Sequence, residues 1–217
     1  MPEAAFDPAA IAADAVALAE LHGGTGHEQV RIDWLQGRLE QAPGSRYVDG
    51  VGNLVWAFGP PPYRLAVLVH VDDVFDQATE RGVTRRDGWL CGPGIGDNAI
   101  AVATTVAVAE RELAGPGPLA VAVVFTVGEE GPAGSLPVTH PLVAAVLRAR
   151  SSIGLPVTTA DGSTDANAAL AAGIPAVALG CCQGEDMHAP TERIRADSIA
   201  TGAAQLRAVL AEILERD

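Results

Sequence analysis

Histidine and carboxylate side chains, which are the usual ligands of hydrolytic zinc sites, occur in four short motifs along this sequence. The residues in these motifs are His70, Asp72, Asp97, Glu129, Glu130 and His188. A single H-x-D motif or a single pair of glutamates is weak, because either also occurs in solvated loops. The four motifs together, in this order, predict a hydrolytic metal centre with an open position for water, in which a carboxylate can also bridge two ions.

Spacing within the motifs predicts separate tasks for neighbouring side chains. His70 and Asp72 are two residues apart on an extended segment, so both point to the same side and Asp72 can fix the orientation of the His70 ring. Glu129 and Glu130 are adjacent and should point apart at a strand end, so one can bind metal while the other stays free as a general base. Two adjacent carboxylates would repel each other without a nearby positive charge.

The remaining histidines lack such a setting. None of His22, His27 and His140 follows a predicted strand with a carboxylate partner, and we expect ordinary structural or surface roles for all three. Taken alone, Asp97 could be a helix N-cap and His188 could be a surface histidine. Their place in the ordered set is what makes them candidate ligands.

Alternating helical and apolar segments predict the elements that position these motifs. Apolar runs at 64–71, 119–127 and 175–180 indicate buried strands, and shorter strands are expected in RYVDG, in NLVWAFG and around VTRRDGWLCG. Helices are expected at 8–21, 27–41, 98–114 and 196–216, after Pro141 and in DANAALAA. The pattern predicts a three-layer α/β fold with a mixed, mostly parallel sheet and helices on both faces.

The predicted topology brings the motifs to one edge of the sheet. Ligands of open α/β sheets bind beyond the carboxyl ends of the strands. His70 and the two glutamates end predicted strands, His188 follows a third strand, and Asp97 lies in a turn directly before a helix. We therefore expect these side chains to converge.

Composition limits the classes of partner. The chain has 217 residues, of which 48% are hydrophobic and 19% charged, and a net charge of −13. This composition fits one packed domain over 1–217 and disfavours a nucleic-acid partner, because no basic cluster could neutralise phosphates. Three cysteines do not suggest a disulfide framework. Since neither a basic leader nor an apolar membrane span is evident, we expect a cytoplasmic protein without membrane contact.

The motifs resemble those of a family of zinc exopeptidases and deacylases that includes carboxypeptidase G, peptidase T, acetylornithine deacetylase, succinyl-diaminopimelate desuccinylase and aminoacylase. The matching stretches are GNLVWAFG, HVDDVFD, GPGIGDN, TVGEEG, GSTDANAALAAGIPAVALG and HAPTERI. The resemblance implies zinc-dependent hydrolysis of amide bonds in small peptides or N-acyl amino acids. It implies one or two zinc ions, with cobalt or manganese as alternatives.

The resemblance also implies roles for individual residues. His70 would bind one zinc ion, Asp97 would bridge two ions, and Glu130 and His188 would bind the second. Glu129 would be the general base. Asp72 would orient His70, and the Asp97–Asn98 peptide bond would be cis. A loop with Asp165 and Asn167 would lie near the site.

One expected part of such proteins is missing. The family carries a lid domain, which also forms dimers, after the GEEG strand, whereas here a short turn-forming segment leads directly to the next helix. We expect a lid-deletion junction at about 131–140, either natural or engineered with a joining sequence that includes Gly134 and Ser135. Without a lid, a monomer and weakened activity are expected.

The deletion would also remove a metal ligand. The acidic ligand expected after GEEG for the His70 zinc has no evident equivalent, and Asp161 is only the nearest candidate in sequence. We therefore expect one better-occupied site and one weak site. Two alternatives stay open at this point: a catalytically inactive metal-binding scaffold, and a naturally lidless leucyl-type aminopeptidase.

Overall fold

The computed structural model describes residues 6–115, 119–129, 136–156 and 166–214. The helices in these ranges are α1 (Pro8–Ala19), α2 (Gln29–Arg38), α3 (Ile100–Glu112), α4 (Pro141–Ser152), α5 (Ala166–Ala171) and α6 (Ile199–Leu214). The strands are β1 (Ser45–Val48), β2 (Leu54–Phe58), β3 (Leu65–His70), β4 (Thr84–Arg86), β5 (Trp89–Cys91), β6 (Val121–Thr126), β7 (Gly184–Glu185) and β8 (Arg193–Arg195). The expected α/β class is confirmed. Within the described ranges, no helix is long and apolar enough to cross a membrane.

The main sheet has the strand order β1-β2-β6-β3. The pairing of β3 with β6 is parallel, whereas β1 with β2 and β2 with β6 are antiparallel pairs. The sheet is mixed as expected, although its described part contains more antiparallel than parallel pairing. The parallel pair matters most for function, because it brings the ends of β3 and β6 to the same edge, where His70 lies opposite Thr126.

Helices α1, α3 and α6 contact one another and pack with the main sheet in one hydrophobic core. Strand β2 is buried along its whole length, as expected for a strand that is covered on both faces. Strand β3 alternates: Val69 is 4% exposed and Leu68 is 40% exposed, so one face of β3 is open in the described part of the chain.

The ends of the helices follow the sequence signals. Asp7 caps α1 by accepting a hydrogen bond from the Ala9 N–H at 2.9 Å, and Pro8 occupies the first turn. His140 caps α4, since its Nδ1 accepts from the Leu142 N–H at 3.2 Å. His140 therefore has the ordinary structural role that the sequence predicted.

A second, small sheet has the order β4-β5-β8-β7. Its β4–β5 hairpin confirms the strand-loop-strand unit predicted around VTRRDGWLCG, and Asp87 and Gly88 in its turn both have positive φ values (52° and 81°), as a tight hairpin turn requires. Leu90 pairs with Ile194, and both are fully buried. This pairing places the segment after β5, with GPGIGDN, beside the segment before β8, with HAPTERI.

The prediction of a strand at 175–180 is wrong. This segment forms no strand in the structure; instead Val177 and Leu179 contact Val146 of α4 and Val209 of α6. Its apolar side chains pack against helices without strand pairing. Hydrophobicity alone cannot distinguish such a segment from a buried strand.

Truncation of the central strand should be costly. Phe125 on β6 is fully buried in the main core, so we expect Phe125→Ala to lower the free energy of unfolding by about 3–5 kcal/mol. The matched control is Leu68→Ala on the neighbouring β3, which is 40% exposed and should cost about 0.5 kcal/mol. Urea unfolding of the two variants measures both values. Equal losses would contradict the described packing of the sheet.

Candidate metal centre and active site

The H-x-D motif lies at the carboxyl end of β3. His70 is the last residue of β3, and its Nδ1 lies 3.2 Å from the Asp72 carbonyl oxygen and 3.5 Å from Asp72 Oδ1. Asp72 is only 3% exposed, and its Oδ2 accepts a hydrogen bond from the Thr25 hydroxyl at 2.9 Å. The sequence-predicted pair is thus in contact, and a hydroxyl from the N-terminal loop restrains the carboxylate.

One carboxylate lies between two imidazoles. His70 Nε2 is 3.1 Å from Asp97 Oδ1, and His188 Nε2 is 2.7 Å from Asp97 Oδ2. Asp97 is in the turn Ile95–Ala99 before α3, and the Asp97–Asn98 peptide bond is cis, as the resemblance implied. Two predicted ligands from distant parts of the chain therefore meet at a third, Asp97. Each imidazole faces a different oxygen of its carboxylate.

Glu129 reaches the same place from β6. Its backbone N–H lies 3.4 Å from Asp72 Oδ2, and its charge is one of those that act on His70. The start of this loop is fixed by Asn53, whose Oδ1 accepts from the Val127 N–H at 3.0 Å. The neighbouring Glu130 lies outside the described residues.

The other predicted residues differ in how far the structure describes them. Asn167 is buried on α5, whereas Asp161 and Asp165 lie outside the described residues. The side chain of His188 is 60% exposed, so this ligand candidate sits at the rim, while the His70 side chain is 14% exposed. The site thus has one largely enclosed and one accessible imidazole.

Glu192 is a residue whose part in the site the sequence analysis missed. It is fully buried, and its Oε1 accepts hydrogen bonds from the backbone N–H groups of Gly96 at 2.5 Å and Asp97 at 2.7 Å. This single carboxylate oxygen therefore holds the backbone that presents the Asp97 side chain. The signal was present, because the H-x-x-x-E pattern in HAPTERI includes Glu192, although no role was assigned to it.

The charges at the site favour a cation. Burial lowers the pKa of His70. Hydrogen bonds with Asp72 and Asp97 and the charges of Asp97 and Glu129 have the larger, opposite effect and raise this pKa to about 10. The hydrogen bond with His70 is the main cause of the lowered pKa of Asp97, and a contact with His188 adds to it. An environment that stabilises a positive charge on His70 would also stabilise a metal ion, which must displace that proton.

The imidazole and carboxylate groups at the site are ligand types that zinc prefers, and the distances between them are close to those between two zinc ligands. Two ligands of one tetrahedral zinc ion, each about 2.0–2.2 Å from the metal, lie roughly 3.4 Å apart. The two imidazole–carboxylate separations of 3.1 and 2.7 Å would have to widen by only part of an ångström. Within the described ranges, no group of three or more His, Cys, Asp or Glu side chains is placed to hold one ion. Each pair would thus need a further ligand.

Solved structures show which class of fold this is. The structure of a tripeptidase from Staphylococcus aureus matches with a TM-score of 0.80 at 12% identity, covering 98% of this chain and 100% of that chain. Aminopeptidase PepT from Bacillus cereus matches with a TM-score of 0.79 at 12% identity, covering 96% and 99% of the two chains. The chain has the fold of zinc exopeptidase catalytic domains.

A third structure extends this likeness. The TET1 peptidase from Pyrococcus horikoshii, which assembles into a tetrahedron or a large octahedral shell, matches with a TM-score of 0.71 at 12% identity and covers 91% and 98% of the two chains. No family model and no curated protein sequence matches the chain. The likeness is therefore one of fold.

Replacement of Glu192 by glutamine should change the pH dependence of stability. Burial raises the pKa of Glu192 above its ordinary value of 4.5, even though the hydrogen bonds from Asp97 and Gly96 oppose this shift. The folded protein then keeps the proton that the unfolded chain has lost, so this carboxyl makes stability fall as pH rises above 4.5 and through the folded-state pKa. Glu192→Gln lacks that contribution and should gain stability relative to wild type as pH rises.

Urea unfolding of the two proteins with a chelator, from roughly pH 4 to 8, measures this difference. The control is Glu185→Gln, because Glu185 is exposed and lies on β7, which pairs with the strand directly after Glu192. A stability difference between Glu192→Gln and wild type that does not vary with pH would contradict the description of Glu192.

Proposed function

We propose that the chain is the catalytic core of a zinc-dependent hydrolase of amide bonds in small peptides or N-acyl amino acids. The observation that carries this proposal is the Asp97 carboxylate, which has a different imidazole at each of its two oxygens. With zinc bound, Asp97 would be a ligand shared by two ions, and His70 and His188 would each be a further ligand of one of them. The fold, which the chain shares with solved peptidases, and the placement of the site beyond the carboxyl end of β3 support the same proposal.

The proposal assigns the metal ligands as follows. His70 and Asp97 would hold one ion, and Asp97, His188 and Glu130 would hold the other. When bound, zinc supplies a Lewis acid that polarises the scissile carbonyl and acidifies water. Because the His70 pair has only two protein ligands in this assignment, we expect it to be the weaker site.

Glu129 is the proposed general base. It would take a proton from the attacking water and deliver it to the leaving amine, so that the amide C–N bond breaks and a carboxylate and an amine are released. Its half-buried position, three residues after β6 and next to Asp72, supports this assignment. Asp72 would act through His70, since it contacts the Nδ1 side of the ring and leaves Nε2 directed at Asp97.

The finer parts of the assignment stay predictions. These are the preference for peptides or acylated amino acids, the lid-deletion junction at about 131–140 in a single domain of 1–217, the monomeric state and a cytoplasmic location. Residues 131–135 of the proposed junction lie outside the described residues. Deacylation and peptide hydrolysis need the same chemistry at the carbonyl, so substrate panels must separate them.

Replacement of Glu129 should remove turnover while leaving metal binding intact. With zinc or cobalt added, we expect Glu129→Gln to lower kcat for dipeptides, tripeptides or N-acyl amino acids by about 10²–10⁴-fold, because the amide cannot take the proton. The matched control is Glu185→Gln, an exposed glutamate on β7 that pairs with Arg193. If wild type and Glu129→Gln are equally inactive towards every substrate, the chain is an inactive metal-binding scaffold.

Metal content should depend on the rim histidine. We expect elemental analysis of wild type to find about one tightly held zinc per chain, and His188→Ala to lose it, because the better site then has only two of its three protein ligands. His27→Ala is the control, since His27 is an exposed histidine outside the motifs. Two tightly held ions would reveal a ligand that the assignment lacks, and unchanged content in His188→Ala would contradict it.

A further inference from the structure

A buried cluster of two arginines and one aspartate lies directly behind the site. Arg31 on α2 and Arg81 before β4 both bind the carboxylate of Asp73; the three side chains are 2%, 4% and 0% exposed, respectively. Arg31 Nη2 is 2.5 Å from Asp73 Oδ2, and Arg81 donates to both carboxylate oxygens at 2.8 and 3.1 Å. The proposed hydrolysis uses none of these groups, although buried charges are costly to keep.

The cluster holds the chain on both sides of Asp72. Arg31 Nη1 donates to the Val71 carbonyl oxygen at 2.7 Å, and its Nη2 binds the side chain of Asp73. Asp73 is in turn fixed to the next residues, because its Oδ1 accepts from the Phe75 N–H at 3.0 Å. The backbone that presents Asp72 to His70 is therefore clamped at both neighbouring residues.

The same cluster supports the turn that leads to Asp97. Gly94 has a φ of 74°, and a Cβ atom there would lie 2.9 Å from Asp73 Oδ2 and 3.5 Å from Arg31 Nη2. Glycine is required at this position both for the backbone conformation and for the close approach. The turn thus rests directly on the buried ion pair, three residues before Asp97.

The N-terminal loop is attached to the cluster as well. Arg31 Nη2 donates to the Leu21 carbonyl oxygen at 3.0 Å, and the Thr25 N–H donates to the Asp73 carbonyl oxygen at 3.2 Å. These bonds place the Thr25 hydroxyl against Asp72. Three segments that contact or carry site residues therefore meet at one guanidinium.

We propose that the buried Arg31–Asp73–Arg81 cluster is the positioning device of the metal centre, and that Arg31 is its principal positioning residue. It fixes the segment carrying His70 and Asp72 relative to the turn carrying Asp97. The inference rests on the proposed function, because it concerns the same metal centre. It requires the planar fork of arginine, since a lysine would keep the charge but could not make the separate bonds to Val71, Leu21 and Asp73.

The experiment compares two arginines of the same helix. Arg31→Lys is measured beside Arg38→Lys, because Arg38 also lies on α2 and pairs with Asp14 and Glu110 but does not contact the site. Zinc affinity is determined by competition with a chromophoric chelator, and the visible spectrum of bound cobalt reports ligand geometry. We expect Arg31→Lys to weaken zinc binding by about 10–100-fold and to change the cobalt spectrum.

The control should lose stability without a comparable loss of affinity. Arg38→Lys should bind zinc within about twofold of wild type, because distant sites act independently. If Arg31→Lys does not fold, Arg81→Lys takes its place, since within the described residues the terminal nitrogens of Arg81 bond to Asp73 and Phe75 and not to the segments at Leu21 and Val71. If the Arg31 or Arg81 variant has the same zinc affinity and cobalt spectrum as Arg38→Lys, this inference is overturned and the proposed function is not. A wild type that binds no zinc overturns the proposed function, and this inference with it.

Discussion

The carboxylate of Asp97 must face two imidazoles at once, and this requirement explains much of the surrounding architecture. His70 comes from the end of β3, His188 from the segment before β8, and Asp97 from the turn before α3. The pairing of β5 with β8 in the small sheet brings the segment that carries His188 beside the turn that carries Asp97. The buried Glu192 then fixes the Asp97 backbone from the same segment that carries His188.

The electrostatic arrangement follows from the same requirement. Asp72, Asp97 and Glu129 bring negative charge to one edge of the sheet, and their effect is visible in the pKa of His70, which rises to about 10 despite burial. Such a concentration of carboxylates needs a cation among them. The arginines that bind Asp73 do not meet this need directly, because they lie behind the site and hold the backbone. In our account, the metal ions that Asp97 would share with His70 and with His188 supply this positive charge.

The parts of the fold and site that the sequence predicted are those with local signals. The apolar run at 64–71 predicted a strand with its ligand at the carboxyl end, and the glycine-rich stretch around Asp97 predicted a turn before a helix; both are observed. The expected burial of that strand on both faces is not observed, since Leu68 is 40% exposed. The segment 175–180 gave the same apolar signal as a strand, but it packs on α4 and α6, because hydrophobicity reports burial and does not report hydrogen-bond partners. Arg31 and Glu192 were missed for a different reason. The importance of Arg31 depends on a long-range contact to Asp73 that no spacing along the chain can indicate. The H-x-x-x-E pattern includes Glu192, but it does not indicate the contact of Glu192 with the Asp97 backbone.

A crystal structure of the protein grown with zinc, with anomalous diffraction recorded above and below the zinc edge, tests the central claim most directly. The account predicts at least one zinc peak beside Asp97, within bonding distance of His188 Nε2 and one Asp97 oxygen; a second peak, if occupied, would be bonded to the other oxygen and to His70 Nε2. Zinc peaks located elsewhere, with Asp97 still hydrogen-bonded to both imidazoles, would contradict the account.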